Sequence, residues 1–186
     1  MRIFIALELP EKIKKEISKT QNQLKTVGIK ARWVKPEITH LTLVFLGEIA
    51  PNKVGEIAKI LKEASSQISP INLWLEKIDA FPSLAKAKII YLSLKGEMGK
   101  LNALVLKIQK GLKKQKIAFD QKPFVPHLTL GRLKKLQNLT WLLSKIKIPR
   151  RHFFTNKLFL IQSTLTSQGP IYKTLKEISL ALVSKK

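Results

Sequence analysis

The feature that most restricts the fold of this chain is an identical tetrapeptide that occurs twice. His40-Leu41-Thr42-Leu43 and His127-Leu128-Thr129-Leu130 lie 87 residues apart, and Pro36 and Pro123 each stand four residues before the histidine. Two of the three histidines in 186 residues fall inside this repeat. A leucine-rich chain repeats four residues by accident easily enough, but not with its rare histidines at the same place. The repeat predicts two copies of one supersecondary unit, related by approximate two-fold symmetry.

The alternation within the tetrapeptide is that of a strand. Side chains at i and i+2 share a face, so His40 and Thr42 point one way while Leu41 and Leu43 point into a core. The same division separates His127 and Thr129 from Leu128 and Leu130. Elsewhere, alternating and apolar runs predict strands at 3–9, 31–34, 40–46, 71–78, 88–94, 127–133, 157–165 and 171–182. Helical spacing predicts helices at 11–24, 51–67, 97–115 and, shorter, 139–146. Several neighbouring strands have no helix between them. The expected fold class is therefore α+β. Residues 1–186 are expected to form a single bilobal domain, with one motif from each pseudo-repeat.

Composition removes whole classes of function. The chain has no cysteine, which excludes disulfide scaffolds, thiolate zinc sites and thiol nucleophiles. Its only aspartates are Asp79 and Asp120, and no cluster of carboxylates and histidines has the spacing of a metal site, so neither metal nor cofactor is expected. No apolar run is long enough for a bilayer. The opening residues read as a strand rather than a signal peptide, which makes the cytoplasm the expected compartment. The 35 basic residues against 12 acidic ones give a net charge of +23. Only Arg2, Arg32, Arg132, Arg150 and Arg151 are arginines. A coat of lysines, which are hydrated point charges, suits general attraction to polyanions better than base-by-base reading.

Two strands brought together about a two-fold axis would line one cleft with two imidazoles and two hydroxyls. That set suits a phosphate ester. One imidazole takes a proton from water, the other gives one to a leaving oxygen, and the hydroxyls donate hydrogen bonds to phosphate oxygens. His152 has no such partner and follows Arg150-Arg151, so it reads as a surface residue.

Taken with its flanks, the sequence resembles the two-histidine (2H) phosphoesterases, in particular the RNA 2′,3′-cyclic phosphodiesterases historically called 2′-5′ RNA ligases. The blocks that carry the resemblance are Arg2-Ile-Phe-Ile-Ala-Leu-Glu-Leu-Pro10, Arg32-Trp-Val-Lys-Pro36 and Phe45-Leu-Gly47. Further blocks are Pro123-Phe-Val-Pro-His-Leu-Thr-Leu-Gly-Arg132, Ser163-Thr-Leu165 and Gly169-Pro-Ile-Tyr172. The resemblance implies a bilobal α+β fold, with two antiparallel sheets flanking a central cleft and helices outside, and metal-free hydrolysis of RNA 2′,3′-cyclic phosphate ends to 2′-phosphate. By position, His40 would be the proton donor to the departing 3′ oxygen and His127 the proton acceptor that activates water, with Thr42 and Thr129 on the phosphate. RNA with cyclic phosphate ends, tRNA fragments included, is the expected partner, bound by a monomer and away from membranes. Gln162 stands where the family often has an acidic residue.

Strict alternation puts Arg132, five residues after His127, on the face away from the cleft. A bulge permitted by Gly131 would turn it back toward the phosphate, and the resemblance favours that role. Phe45 has the same offset from His40, where stacking on a nucleobase competes with core packing, the commoner place for a phenylalanine. Trp33 and Tyr172 are open in the same way. Lys12, Lys14 and Lys15 read as a solvated helix face. Three other functions remain to be weighed: joining of RNA ends through a 2′-5′ bond, a small cyclic phosphate as substrate, and a non-catalytic RNA-binding module. The last is disfavoured because simple phosphate binding calls for lysine or arginine rather than paired histidines.

Overall fold

The computed structural model describes residues 1–167 and 169–181 and, at 143 and 144, the backbone alone. Among these residues the first half of the chain runs β1 (Arg2–Leu7), α1 (Glu11–Thr26), β2 (Ala31–Trp33), β3 (Leu41–Glu48), α2 (Val54–Ser65) and β4 (Ile71–Phe81). The second half runs β5 (Ala87–Gly96), α3 (Met98–Lys114), β6 (His127–Gln137), α4 (Leu142–Lys145), β7 (His152–Thr155), β8 (Lys157–Thr166) and β9 (Gly169–Ser179). The 87-residue offset extends well beyond the tetrapeptide. Glu11 opens α1 where Met98 opens α3, and Lys157 opens β8 within one residue of the position that the offset gives for Ile71, which opens β4.

The strands form two antiparallel sheets, with orders β3-β1-β8-β9 and β2-β6-β5-β4-β7. Each begins, apart from β2, with a motif strand and continues with the strand that opens the same repeat. The third strand closes the other repeat: β8 completes the first sheet and β4 the second. The two repeats are thus interlocked, and neither half of the chain builds a sheet by itself. This is the expected α+β architecture of two antiparallel sheets.

Helix positions follow the apolar spacing. Ile13, Ile17 and Leu24 of α1 and Leu101, Leu104, Ile108 and Leu112 of α3 are fully buried. Each such side chain contributes about 1.5 to 3 kcal/mol by leaving water. In α2, Ile57, Ile60, Leu61 and Ala64 are buried. Gly111 of α3 lies so close to Ile60 that a Cβ there would sit 2.5 Å from Ile60 Cγ2.

The structure departs from the expected element boundaries in several places. The helix predicted from residue 51 starts with a 3-10 turn, Pro51–Lys53, and becomes α-helical at Val54. The short helix predicted at 139–146 contracts to a single turn, α4. Strand β7 was not expected. Its four residues carry only two apolar side chains, and it forms by pairing with the edge of β4. The last strand ends at Ser179, and the predicted extension to 182 reaches beyond the described residues.

Candidate active site

The two motif strands carry the same irregularity at the same place. On β3, Ile5 pairs with Val44 and Ala6 with Thr42, so Leu43 is an extra residue. On β6, Ile90 pairs with Gly131 and Tyr91 with Thr129, so Leu130 is the extra residue. Both extra leucines and the residues after them are buried, which resets the alternation by one. The residue five places after each histidine therefore returns to the histidine's own face. Arg132 is turned into the cleft beside His127 and Thr129, and Phe45 is turned into it beside His40 and Thr42. Phe45 is 48% exposed. It lines the cleft and does not pack in the core, because the bulge at Leu43 displaces it from the inward position that unbroken alternation would give.

Gly131 has a different role from the one its position suggested. The bulge falls on Leu130, and Gly131 is needed because Trp33 on β2 lies against its backbone. A Cβ at 131 would stand 2.9 Å from Trp33 Cε3. Trp33 is thus a packing residue, with Lys25 Nζ 5.7 Å from its ring centroid. The bulge is held from the helix side by Gln21 of α1, which is 3% exposed. Its Nε2 donates to the Val34 carbonyl at 2.6 Å and to the Leu130 carbonyl at 2.9 Å. No sequence pattern marked this glutamine.

Each histidine is wired identically. His40 Nδ1 lies 2.8 Å from the Ile38 carbonyl and His127 Nδ1 lies 2.7 Å from the Val125 carbonyl. A carbonyl only accepts, so Nδ1 carries a proton in both rings and Nε2 is left to exchange protons. Burial pulls both imidazoles below their ordinary value of 6.5, against the opposing effect of these carbonyls. Lys14 lowers His40 further, and Arg132 does the same for His127. Lys14 is therefore not a solvated residue of the helix face: its side chain is 22% exposed, paired with Glu11, and within electrostatic reach of His40.

Aromatic rings surround both imidazoles. His40 meets Phe4 at 6.3 Å and Tyr172 at 5.8 Å, while His127 meets Phe81 at 5.0 Å and Tyr91 at 5.3 Å, all near perpendicular contacts. These walls hold the rings in place and account for much of their desolvation. Burial also raises the hydroxyl pKa of Tyr172 and Tyr91. Tyr172, left open between stacking and packing by the sequence, thus lines the site. Phe4, Phe81 and Tyr91 were not anticipated. Phe4 and Tyr91 sit on the strands beside the motifs, in register with Phe45 and Thr129, and only strand pairing reveals them.

The result is a cleft of about 500 Å³ lined by both histidines, Thr42, Thr129, Arg132, Phe45 and Tyr172, with Lys122 at its edge. Neither threonine hydroxyl is engaged by another described residue, so both are free to donate to a bound anion. Arg32 of β2 lies opposite Arg132 in the register, adding a second guanidinium at this end of the sheet. Among the described residues, no three His, Asp or Glu side chains gather as a metal site. No described helix is long and apolar enough to cross a membrane. Gln162 is half-buried on β8, facing Ile3 and Lys173 in the register and outside the cleft lining.

The chain is similar to known proteins in sequence and in fold. The profile described as "LigT like Phosphoesterase" matches residues 7–91 and 94–172, one motif in each segment. A protein of Methanocaldococcus jannaschii named RNA 2′,3′-cyclic phosphodiesterase is 35% identical over 95% of this chain and 99% of its own length. An Aquifex aeolicus protein of the same name is 34% identical over 93% of this chain and 90% of its own. Among solved structures, a Thermus thermophilus protein superposes with a TM-score of 0.81 at 25% identity, covering 97% of this chain and 98% of that one. LigT of E. coli has the same fold, with a TM-score of 0.76 at 21% identity and the same coverage of both chains. The chain belongs to the LigT-like phosphoesterases of the two-histidine superfamily.

Proposed function

We propose that this protein hydrolyses 2′,3′-cyclic phosphate ends of RNA to 2′-phosphates, without a metal, by two-histidine acid–base catalysis. The observation that carries the reading is the pair of imidazoles in one cleft, each with Nδ1 tied to a backbone carbonyl and Nε2 left for proton exchange. The names of the relatives support the choice of RNA cyclic phosphate as substrate. His127 Nε2 takes a proton from water as the water oxygen bonds to phosphorus. The bond from phosphorus to the 3′ oxygen breaks, and His40 gives its Nε2 proton to that oxygen. Proton exchange with solvent then restores both rings.

Thr42, Thr129 and Arg132 hold the non-bridging oxygens as charge builds on them, and Phe45 stacks on the terminal base. Each acid–base role supplies about 10²- to 10⁴-fold in rate. The two sheets work as one bilobal monomer, since each provides one histidine. Ends of tRNA fragments fit the same chemistry, and the cytoplasm is the natural place to meet them. The identical wiring of the two rings also suits joining of RNA ends, in which a 5′ hydroxyl takes the place of water, its oxygen bonds to phosphorus, the bond to the 3′ oxygen breaks and a 2′-5′ bond remains.

The test is a short RNA ending in 2′,3′-cyclic phosphate, incubated with EDTA present. Expected are conversion to the 2′-phosphate and its loss in both His40→Ala and His127→Ala. Unchanged substrate with folded wild-type protein would refute the function, and activity lost on chelation and restored by a divalent ion would refute the metal-free mechanism.

A further inference from the structure

The open face of the five-stranded sheet continues past the cleft. On β4 the buried residues Leu73, Leu75, Ile78 and Ala80 face the helices, which leaves Trp74, Asp79 and Phe81 on the side that carries His127. On β7, Phe153 and Thr155 are buried, leaving His152 and Phe154 on that same open side. Trp74 lies opposite His152 in the register, and Asn72 lies opposite Phe154. Phe81, at the other end of β4, packs against His127. The stretch from Phe81 to Trp74 is therefore one continuous surface leading away from the catalytic imidazole.

At the far end of this surface is an aromatic and basic cluster. The Arg150 guanidinium lies 4.2 Å from the Trp74 ring centroid, and the His152 ring lies 4.8 Å from it, tilted by 36°. Phe154 is 63% exposed on the edge strand, where core packing gives no account of it. No described carboxylate pairs with Arg150, whereas Arg151 turns back to Glu16 on the helix side at 3.6 Å. The acidic groups on the open face are already matched. Glu76 meets Lys95 at 2.6 Å, and Asp79 meets Lys77 at 3.3 Å.

A guanidinium laid on an indole keeps its in-plane N–H donors, and its orientation is already restricted before any ligand arrives. An exposed aromatic beside it offers a stacking platform to any base. Trp74 stands two strands from His127, about 10 Å, and two residues further along in the register, about 7 Å, with β7 one strand beyond, so a chain whose end lies in the cleft reaches the cluster within a few residues. We propose that Trp74, Arg150, His152 and Phe154 form a second site that binds single-stranded RNA on the 5′ side of the terminal cyclic phosphate. This rests on the reading of the cleft as the site for an RNA end.

The experiment compares a ten-nucleotide RNA ending in 2′,3′-cyclic phosphate with a single nucleoside 2′,3′-cyclic phosphate, using wild type, Arg150→Ala, Phe154→Ala and the double variant. Both altered residues are exposed, so folding is retained, and melting temperatures check this. The proposal expects kcat/KM on the ten-mer to fall by about 5- to 150-fold, through KM, with the nucleoside substrate unaffected. Equal loss on both substrates, or no loss on either, overturns it. Fluorescence anisotropy with a ten-mer ending in a plain hydroxyl tests the cluster independently of catalysis. If wild type hydrolyses neither substrate, the proposed function fails. The cluster then stands only if the variants weaken that binding. Variants that change sedimentation and leave RNA binding intact would make the patch a protein contact and overturn the proposal.

Discussion

Gln21 makes the sharpest test of how the active site is built, since it touches no residue of the cleft chemistry and acts through the β6 backbone. Gln21→Leu keeps the bulk and removes the donor. The Leu130 carbonyl keeps a second partner, the Val34 N–H at 3.0 Å, and so loses about 0.5 to 1.5 kcal/mol. The Val34 carbonyl loses the side-chain donor that sits 2.6 Å from it, which costs about 1 to 3 kcal/mol less whatever water recovers at a half-buried site. Together, with some return from the buried leucine, the variant should lose about 1 to 4 kcal/mol. For a chain of this size that lowers Tm by about 2 to 16 °C.

Activity should follow through Arg132. A loosened bulge no longer holds the guanidinium beside the phosphate, so kcat/KM on a cyclic phosphate falls by no more than Arg132→Ala removes. In the double variant Gln21→Leu with Arg132→Ala, activity should match Arg132→Ala alone, because both act on one group. Urea denaturation and steady-state kinetics measure the two effects. A Gln21→Leu protein with wild-type stability and kcat/KM would show that the bulge holds itself. Additive losses in the double variant would show that Gln21 does not act through Arg132.

Other expectations follow from the same geometry. Because burial holds both imidazoles below 6.5, the pH optimum of kcat/KM should lie on the acid side of neutrality, with the acidic limb set by the base and the alkaline limb by the acid. Lys14→Met removes a charge that lowers His40, so the pKa of His40 rises; the alkaline limb moves to higher pH if His40 is the acid, whereas movement of the acidic limb would reverse the two roles. Arg132→Met should raise His127 in the same way and shift the acidic limb upward, alongside a loss of kcat/KM; an unmoved limb would separate Arg132 from His127. Gly131→Ala should cost about 1 to 3 kcal/mol by forcing Trp33 aside, measured by chemical denaturation, and a stable variant would contradict the close approach seen here. Raising salt from 50 to 200 mM should weaken RNA binding more than binding of a nucleoside cyclic phosphate, and equal slopes would remove the lysine coat from RNA capture.

The histidine and threonine pairs were legible in the chain because strand alternation is local: the residues at i and i+2 share a face whatever the rest of the protein does. The 87-residue repeat likewise marked the two-fold organisation, and the helices α1 and α3 followed from apolar spacing alone. Four apolar residues in the right rhythm were enough to place a strand, but not to say what lay beside it. Strand β7 was missed because its four residues carry only two apolar side chains, and its stability comes from pairing with β4.

The remainder of the site depended on neighbours distant in the chain. Leu43 and Leu130 look like ordinary inward residues until the partner strands fail to match them one for one, and only that mismatch sends Phe45 and Arg132 into the cleft. Phe4, Phe81, Tyr91 and Tyr172 become walls of the histidine sites through strand register and sheet assembly. Lys14 moves from a solvated helix face to the edge of the His40 site in the same way. Periodicity identifies the face a side chain occupies within one strand, whereas bulges, registers and facing sheets are settled by pairing energies summed over both repeats. The candidate reacting groups could therefore be read from the sequence, but the surroundings that set their pKa and aim the arginine came only with the packed sheets.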